Sequence, residues 1–391
     1  MTSIFPAMDK AKFWNKIPVW PVKVNGIPLF SGDLITITDG CSQKYSYSLY
    51  PFSLLQKNSE GSSSKCTDLS FRTLKPFIDL KENQERFGFS IDNNDFFVDS
   101  ENELGLWLSH LKPMCIINSI EDDFVIIKEI GKGSTSTVYY SEHVETRDPF
   151  AIKSFDKKFL MKKRSGVRNL KEEINVLYKL NHERVMKLYF VYESEDFVYL
   201  VTEYLSEWNL CNYLKLNKKF KPEIVKKFIC SLLETLQYIH SCGVVHRDLK
   251  LENLMVHGTN HELKIIDFGL SYGPSTLSNS KCGSPGYIAP EVFMSESYNS
   301  KIDIFSTGVI LYVLLTGNHP FEGKDDWKVL ENNLSVNYKL DKKLSPAAQS
   351  LIKAMLEFDP DLRPSAGELL QDPWLNEGKE IPSDLATAIV Y

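Results

Sequence analysis

A short polar run in the second half of the sequence has the residue types that catalysis needs. His246 to Asn253 read HRDLKLEN, with four charged groups, one imidazole and one amide among eight residues. Asp267 follows fourteen residues after Asn253, and apolar, strand-like segments lie between them at 254–256 and 263–266. So many polar groups beside apolar strands are poor material for a core. The run therefore predicts a functional site.

Two segments nearer the N-terminus have features of a phosphate-binding site. The residues from Gly131 to Ser134 connect two strand-like runs, and close glycines let backbone N–H groups approach phosphate oxygens where a Cβ would clash. A plain hairpin turn would show the same two glycines. Lys153 ends an alternating run, and Glu173 lies beside a helical stripe of apolar residues. Each is most often a solvated residue, but a Glu173 that faces Lys153 would hold its ammonium where it can meet phosphates.

These segments, with three others, resemble the motifs of eukaryotic protein kinases. In chain order the motifs are GKGSTSTV at 131–138, AIK at 151–153, HRDLKLEN at 246–253, DFG at 267–269, GSPGYIAPE at 283–291 and DIFSTGV at 303–309. Their order and spacing follow the family over residues 124–375. The resemblance implies an α+β, bilobal kinase fold with a β-rich N-lobe and a helical C-lobe. The calcium/calmodulin-dependent kinases are the most similar group.

The resemblance implies transfer of the γ-phosphoryl group of ATP to serine or threonine hydroxyls, with Mg²⁺ as cofactor. The implied catalytic residues are Lys153, Glu173, Asp248, Lys250, Asn253 and Asp267. Asp248 would orient the attacking hydroxyl, while Asn253 and Asp267 would bind Mg²⁺. Lys153 would contact the α- and β-phosphates. Lys250 would lie by the γ-phosphate, where a lysine is typical of serine/threonine kinases.

The resemblance also implies an ATP site shared by the two lobes. Its residues would be Ile130, Gly131, Lys132, Gly133, Ser134, Val138, Ala151, Lys153, Thr202, Glu203, Leu205 and Met255. The adenine would lie between the apolar side chains of this set, and Thr202 has the gatekeeper position. Two structural contacts are implied as well. Asp303 would brace the backbone of the polar run, and Glu291 would pair with Arg363.

One departure from the family pattern concerns regulation. Ser280 has the place of the activating phosphorylation site, three residues before Gly283. Arg247 could receive a phosphate there by a charge-assisted contact. Tyr272 and Asn169, however, stand where many family members have further cationic groups. We therefore predict that Ser280 is a weaker switch than usual.

Two other departures concern the phosphate loop and the substrate. Ser136 replaces the third glycine of the loop, a change that active kinases tolerate. Glu252 keeps one acidic group for a substrate arginine, but Asn209 and Val313 have the places of two others. A preference for basic residues before the target serine is therefore expected only in reduced form.

Residues 14–116 predict a small β-barrel or sandwich domain that ends in one helix. Short strands are indicated at 34–38, 45–50, 86–91 and 96–98, with a turn at 92–95. Ser100 can cap a helix with Glu103 three residues later. Pro113 would close that helix. The stretch RFGFSIDNNDFFVDSENELGLWLSHL, with Trp107 on the inner face of the helix, resembles a pleckstrin-homology domain, although another small β domain would also fit.

Composition limits the partners of the chain. Its formal net charge of −6 argues against a nucleic-acid binder. Residues 1–120 have 12 Lys or Arg against 13 Asp or Glu, so strong binding to lipid headgroups is not expected. Seven scattered cysteines and the absence of a signal-like or membrane-spanning apolar run indicate a cytoplasmic protein. The basic stretch Lys157–Arg164 would also suit nuclear import, although such charges are usually solvated.

The sequence also gives expectations for regulation and for two alternative functions. The short tail 376–391 lacks the basic amphipathic segment that binds calmodulin, so calcium-independent activity is expected. Inhibition, where present, would come from the N-terminal domain, and deletion of residues 1–116 would raise activity. A catalytically inactive scaffold would have lost a catalytic Lys, Asp or Asn, and none is lost. A small-molecule or lipid kinase would not need GSPGYIAPE, which forms a peptide platform in the family.

Overall fold

The computed structural model describes residues 3–5, 13–16, 27–38, 41–57, 63–81, 84–206, 208–257, 262–273, 281–295 and 297–377. The chain forms two compact units. The first comprises Met1–Gly166 with Leu188–Tyr204, and the second comprises Val167–Lys187 with Leu205–Tyr391. Ser280 and the tail from 378 onward lie outside the described residues. Within those residues, no helix has the length and apolar character needed to cross a membrane.

The first unit begins with an antiparallel β domain. Its described strands are β1 (Asn15–Lys16), β2 (Phe30–Thr38), β3 (Cys41–Tyr50), β4 (Ser53–Lys57), β5 (Ser63–Asp68), β6 (Thr73–Lys81), β7 (Gln84–Ile91) and β8 (Asn94–Val98). β2 to β5 form one meander, β6 to β8 form another, and the pair Ile35–Phe97 joins them. All four predicted strands overlap observed ones. Of the polar segment at 59–65, for which a loop is expected, residues 59–62 lie outside the described residues and Ser63 to Lys65 belong to β5.

Local signals in this domain act as the sequence predicts. Asp92 and Asn93 form the two-residue turn between β7 and β8, with φ of 48° and 66°. Asn and Asp tolerate this left-handed conformation, which suits tight hairpins. Helix α1 (Glu101–Leu111) begins after Ser100, whose hydroxyl accepts a hydrogen bond from the N–H of Glu103 at 3.2 Å. The α-helix ends before Pro113, which lies in a single 3₁₀ turn.

The core of this domain lies between the strands and α1. Trp107 is 1% exposed and meets the ring of Phe30 edge-on, with the centroids 4.8 Å apart. Phe89 and Phe96 stack at 5.4 Å. The other buried members are Phe13, Leu34, Tyr47, Leu49, Leu54, Leu69, Leu74, Ile91, Val98, Leu104, Leu111, Met114 and Cys115. The helix face that carries Trp107 therefore closes the domain as predicted.

A two-residue strand links this domain to the rest of the first unit. β9 (Ile116–Ile117) pairs in parallel with β6 on one side and with β13 (Leu188–Glu193) on the other. The five further strands are antiparallel, in the order β13, β14 (Phe197–Glu203), β12 (Pro149–Asp156), β11 (Thr137–His143) and β10 (Phe124–Lys132). Short helix α2 (Lys157–Lys162) follows β12. One hydrogen-bonded sheet therefore runs through the whole unit.

The second unit is mainly helical. Its helices are α3 (Gly166–Lys179), α4 (Leu210–Asn217), α5 (Pro222–Ser241), α6 (Glu291–Met294), α7 (Lys301–Thr316), α8 (Asp326–Leu334), α9 (Pro346–Met355), α10 (Ala366–Leu369) and α11 (Pro373–Asn376). The hairpin β15 (Leu254–His257) and β16 (Glu262–Ile265) accompanies them. α7 is buried on all sides from Ile302 to Leu315, which is typical of a helix at the centre of a globular unit. The apolar run Gly308–Leu315 is therefore a core helix segment.

Candidate active site

The carboxylate of Asp248 is the centre of a tight polar cluster in the second unit. Its Oδ2 accepts a hydrogen bond from Lys250 Nζ at 2.8 Å, and its Oδ1 accepts one from Ser284 Oγ at 2.7 Å. Lys250 Nζ also donates to Ser284 Oγ at 2.8 Å. Asp248 is only 9% exposed. The three groups thus form a closed ring of hydrogen bonds in which a serine hydroxyl contacts the carboxylate.

Asn253 fixes the backbone of this cluster. It lies in a 3₁₀ turn, 251–253, immediately before β15. The Nδ2 of Asn253 donates to the backbone carbonyl oxygen of Asp248 at 2.8 Å and to Oδ2 of Asp248 at 3.2 Å. Because the side-chain nitrogen is used in this way, the side-chain oxygen Oδ1 of Asn253 is the atom suited to a cation.

Asp267 follows β16 in a left-handed conformation, with φ of 63°. Such a conformation is costly for most residues and is common at functional sites. Its Oδ1 accepts a hydrogen bond from the N–H of Gly269 at 3.3 Å. The next residue, Phe268, is fully buried and meets the ring of His246 at 4.9 Å. Packing of Phe268 therefore holds the backbone of Asp267 in this conformation.

Asp303 braces the polar run, as predicted. The N–H groups of His246 and Arg247 each donate to its carboxylate at 2.9 Å, and His240 Nε2 contacts Oδ2 at 2.9 Å. Burial alone raises the pKa of Asp303, but the hydrogen bonds and the charge of its partners outweigh burial, so that its pKa is lowered. The carboxylate is therefore charged and fully paired. The predicted Glu291–Arg363 pair is also confirmed, at 2.7 Å.

Arg247 has partners other than a phosphate. Its guanidinium lies 4.9 Å above the ring centroid of Tyr272 and donates to Tyr298 Oη at 3.1 Å. It also donates to the carbonyl oxygen of Leu270. Tyr272 in turn exchanges backbone hydrogen bonds with Val245. The tyrosine that replaces a cation of the family pattern thus stacks on the arginine.

The predicted phosphate loop lies between β10 and β11 in the first unit. Gly131 pairs with Val138, and the N–H of Gly133 donates to the carbonyl oxygen of Ser136 at 2.8 Å. A Cβ on Gly131 or Gly133 would meet no other protein atom closer than 3.5 Å. The chain itself therefore does not require glycine for packing there. Lys132 and Ser134 are exposed on this loop.

Four residues of the predicted ATP site, Val138, Ala151, Lys153 and Thr202, share one face of the sheet. Register places Val138 opposite Lys153, and Ala151 opposite Thr202. Paired residues point to the same side of a sheet, as do residues two apart. Thr202 Oγ1 donates to the carbonyl oxygen of Ala151 at 3.3 Å. Between them, Ile152 points to the opposite face and is buried there with Phe124, Tyr192 and Val201.

The other residues of the predicted site lie as follows. Ile130 is at a bulge of β10 and 43% exposed, and Glu203 ends β14. Leu205, Met255 and Glu173 belong to the second unit, where Glu173 is 2% exposed on α3. Lys153 belongs to the first unit. The Lys153–Glu173 pair therefore stays a prediction.

Two polar arrangements were missed by sequence reasoning. Ser284 was noted only as part of GSPGYIAPE, and the hydroxyl within that motif was the available signal. Lys157 was expected to be solvated, but it is 1% exposed and pairs with Glu193 at 3.0 Å. The carboxylate of Glu193 also accepts hydrogen bonds from Ser3 Oγ and from the N–H of Ile4. No sequence signal connects these distant positions.

Comparison with known proteins agrees with this geometry. A model of the family "Protein kinase domain" matches residues 124–375. The chain therefore belongs to the protein kinase family, whose members use ATP and Mg²⁺. Strands β10 to β14 of the first unit and the helices of the second are the β-rich and helical portions expected of that domain.

Three relatives with kinase names are similar to this chain. "Probable serine/threonine-protein kinase 2" of Plasmodium falciparum is 36% identical over 309 residues, which cover 76% of this chain and 58% of that protein. A "Probable myosin light chain kinase" of Dictyostelium discoideum is 34% identical over 266 residues, covering 66% and 76%. "Hormonally up-regulated neu tumor-associated kinase homolog A" of Xenopus laevis is 35% identical over 265 residues, covering 65% and 38%.

Proposed function

We propose that this chain transfers the γ-phosphoryl group of ATP to serine or threonine hydroxyls of proteins. The observation that carries the proposal is the ring formed by Asp248, Lys250 and Ser284. A serine hydroxyl already donates to Asp248 at 2.7 Å while it contacts Lys250. A substrate hydroxyl bound in the same way would be oriented by the carboxylate, at a distance suited to proton transfer.

Phosphoryl transfer depends chiefly on alignment and charge neutralisation. Mg²⁺ prefers a few oxygen ligands together with phosphates, and the Asn253 carbonyl and the Asp267 carboxylate supply such oxygens. When bound, Mg²⁺ would neutralise phosphate charge. Lys250 adds positive charge beside the reacting hydroxyl, and Lys153 would bind the phosphates of ATP. The open space at Gly131 and Gly133 would let backbone N–H groups approach those phosphates.

A radiolabelled-ATP assay on a mixed protein substrate tests this proposal. Wild type should label serine and threonine, whereas Asp248→Asn should lose about 10²- to 10⁴-fold in kcat, the usual contribution of a general base. Asp267→Asn should also lose activity. Equal labelling by wild type and both variants would support an inactive scaffold, and labelling of lipid alone would assign another kinase class.

Calcium dependence and localisation are two further properties that we propose for this chain. The kinase portion resembles the calcium/calmodulin-dependent group, and we expect its activity to be independent of calcium and calmodulin. An assay with saturating Mg²⁺ and a calcium-selective chelator tests this expectation, because calcium dependence would then show as lost activity. We place the chain in the cytoplasm, with nuclear import at 157–164 as the alternative, although burial of Lys157 removes one cation from that stretch.

The N-terminal β domain is proposed to be of the pleckstrin-homology type and to act on the kinase domain. Its meanders and closing helix support the first assignment, and β9 supports the second. The match to the Plasmodium protein covers 76% of this chain, more than the segment from 124 onward contains, so that it extends into the preceding residues. Vesicle sedimentation would test lipid binding, which we expect to be weak.

A further inference from the structure

A lysine-rich groove lies on the second unit, beside the active-site loop. It consists of two adjoining cavities of about 860 and 470 Å³. The cavities share Lys219, Thr316 and Asn318. Lys215 and Lys218 line the first, and Lys221 and Lys343 line the second. We refer to this surface as the lysine groove.

Packing of the backbone fixes the shape of the lysine groove. α4 ends at Asn217, and Lys218 turns the chain with φ of 62°. A Cβ on Gly317 would clash with the carbonyl oxygen of Lys218, so the two segments are in close contact. Phe220 is buried beneath them, and its N–H donates to Leu314 at 3.0 Å. The groove therefore exists before any partner binds.

The charge of this segment is opposite in sign to that of the chain. Residues 215–227 contain six lysines and one glutamate, in a protein with a net charge of −6. Lys226 pairs with Glu377. Lys215, Lys218 and Lys219 are exposed, and none of them forms an ion pair within the part of the chain that the structure describes. Their charge is therefore available to an anionic ligand.

The groove also offers apolar surface and a route to the active site. Leu216 is 64% exposed among these lysines. Cys211 lines the inner end of the groove, and after burial the carboxylate of Glu252 is the next cause that raises the pKa of its thiol. Glu252 follows Lys250 in the active-site loop by two residues. A ligand in the groove would therefore be next to a peptide at Asp248.

We propose that the lysine groove binds an acidic segment of the protein substrate, with an apolar residue of that segment on Leu216. This inference rests on the proposed kinase function. An acidic peptide suits the site better than a nucleic acid, because Phe220, the one aromatic side chain among the described lining residues, is buried and offers no open face for base stacking. It suits the site better than a membrane because the surface is concave.

Kinetics with matched peptides test the proposal on the full chain. One peptide carries a basic residue before a target serine, and two others add a segment such as Asp-Glu-Leu-Glu before or after this core. One of the two extended peptides should have a KM about tenfold lower than that of the core peptide at low salt, with kcat unchanged, as expected from several exposed charge pairs. Since salt screens such pairs, the advantage should shrink at high ionic strength.

The variant that tests the groove is Lys215→Glu combined with Lys219→Glu. Lys218 is left unchanged because its backbone is left-handed. The double variant should lose the tenfold advantage and keep its kcat for the core peptide. Lys162→Glu combined with Lys353→Glu makes the same charge change at exposed sites elsewhere and should keep the advantage.

Two results would overturn the inference. One is an equal KM for core and extended peptides with wild type, and the other is an advantage that survives in the groove variant. Competition by a single-stranded oligonucleotide or by phosphatidylserine vesicles, without any peptide preference, would assign the surface to another partner. If the core peptide itself is not phosphorylated, the proposed function fails, which is a different outcome.

Discussion

At the scale of single residues, Arg247 shows how an arginine of the family pattern can be held by contacts within the chain and without a phosphate. In the family pattern an arginine at this place receives a phosphorylated side chain. Here Tyr272 covers the guanidinium and Tyr298 accepts its hydrogen bond. A cation–π contact of this kind contributes about 0.5–2 kcal/mol. Arg247 is thus held by groups that need no modification.

We therefore predict that Ser280→Ala retains most of the wild-type kcat. Tyr272→Ala should lower kcat by about tenfold, in keeping with the loss of a cation–π contact. Tyr272→Phe keeps the ring and should stay near wild type. Steady-state assays of the three variants, with KM determined separately, check this. Equal losses in the Phe and Ala variants would show that stacking on Arg247 is not the cause.

Asp303 gives a pH prediction. Its pKa is lower when folded than when unfolded, so its contribution to stability is complete above the unfolded value of about 3.9 and is lost as pH falls through the lower folded value. Asp303→Asn should be less stable than wild type at pH 7 by about 3 kcal/mol or more, as when buried pairs are broken. The difference should shrink toward pH 3.

Urea unfolding of wild type and Asp303→Asn from pH 7 to pH 3 measures this effect. Asp361→Asn removes an exposed carboxylate and serves as the control for the general loss of negative charge. A difference between wild type and Asp303→Asn that does not change with pH would contradict the prediction.

At the scale of elements, the two-residue strand β9 joins the β domain to the kinase strands. Ile116 and Ile117 are buried, and the N–H of Ile116 donates to the carbonyl oxygen of Arg72 at 2.7 Å. β9 pairs with a strand of the β domain on one side and with a strand of the kinase sheet on the other. Its two residues therefore belong to both hydrogen-bonded structures.

Ile116→Ala should lower the free energy of unfolding by about 2–5 kcal/mol, the usual cost of such a truncation in a core. Ile127→Ala makes the same change on β10 at a side chain that is 50% exposed, and it should have little effect. Thermal unfolding followed by circular dichroism compares the two. Equal effects would mean that β9 does not support the core.

At the scale of the whole molecule, the contacts of the β domain and the N-terminal residues indicate that they stabilise the strands of the kinase domain. Beyond β9, Lys112 donates to the carboxylate of Asp123 at 2.8 Å, and Tyr192 donates to the same carboxylate at 2.5 Å. The N-terminal residues Ser3 and Ile4 donate to Glu193, beside the buried Lys157. Such contacts would leave buried polar groups unpaired if the domain were removed.

Sequence reasoning predicts that deletion of residues 1–116 raises activity. The shared sheet leads us to expect instead a fall in Tm, by about 5 °C or more, since a loss of 1 kcal/mol already shifts Tm by a few degrees. Fragments 112–377 and 118–377 separate the two effects, because only the first retains β9. Higher activity with an unchanged Tm in both fragments would show that the β domain inhibits the kinase domain and does not stabilise it.

The sequence by itself determined the motifs that place this chain in the protein kinase family. Asp248, Lys250 and Asn253 lie within six residues, so their spacing alone brings them together, and capping at Ser100 and the turn at 92–93 are equally local. Tertiary structure decided which distant positions meet: Ser284 contacts Asp248, Glu193 pairs with Lys157, and β9 pairs with both β6 and β13. Such partners depend on strand register and on how chain segments pack, and no local pattern of residue types encodes these features.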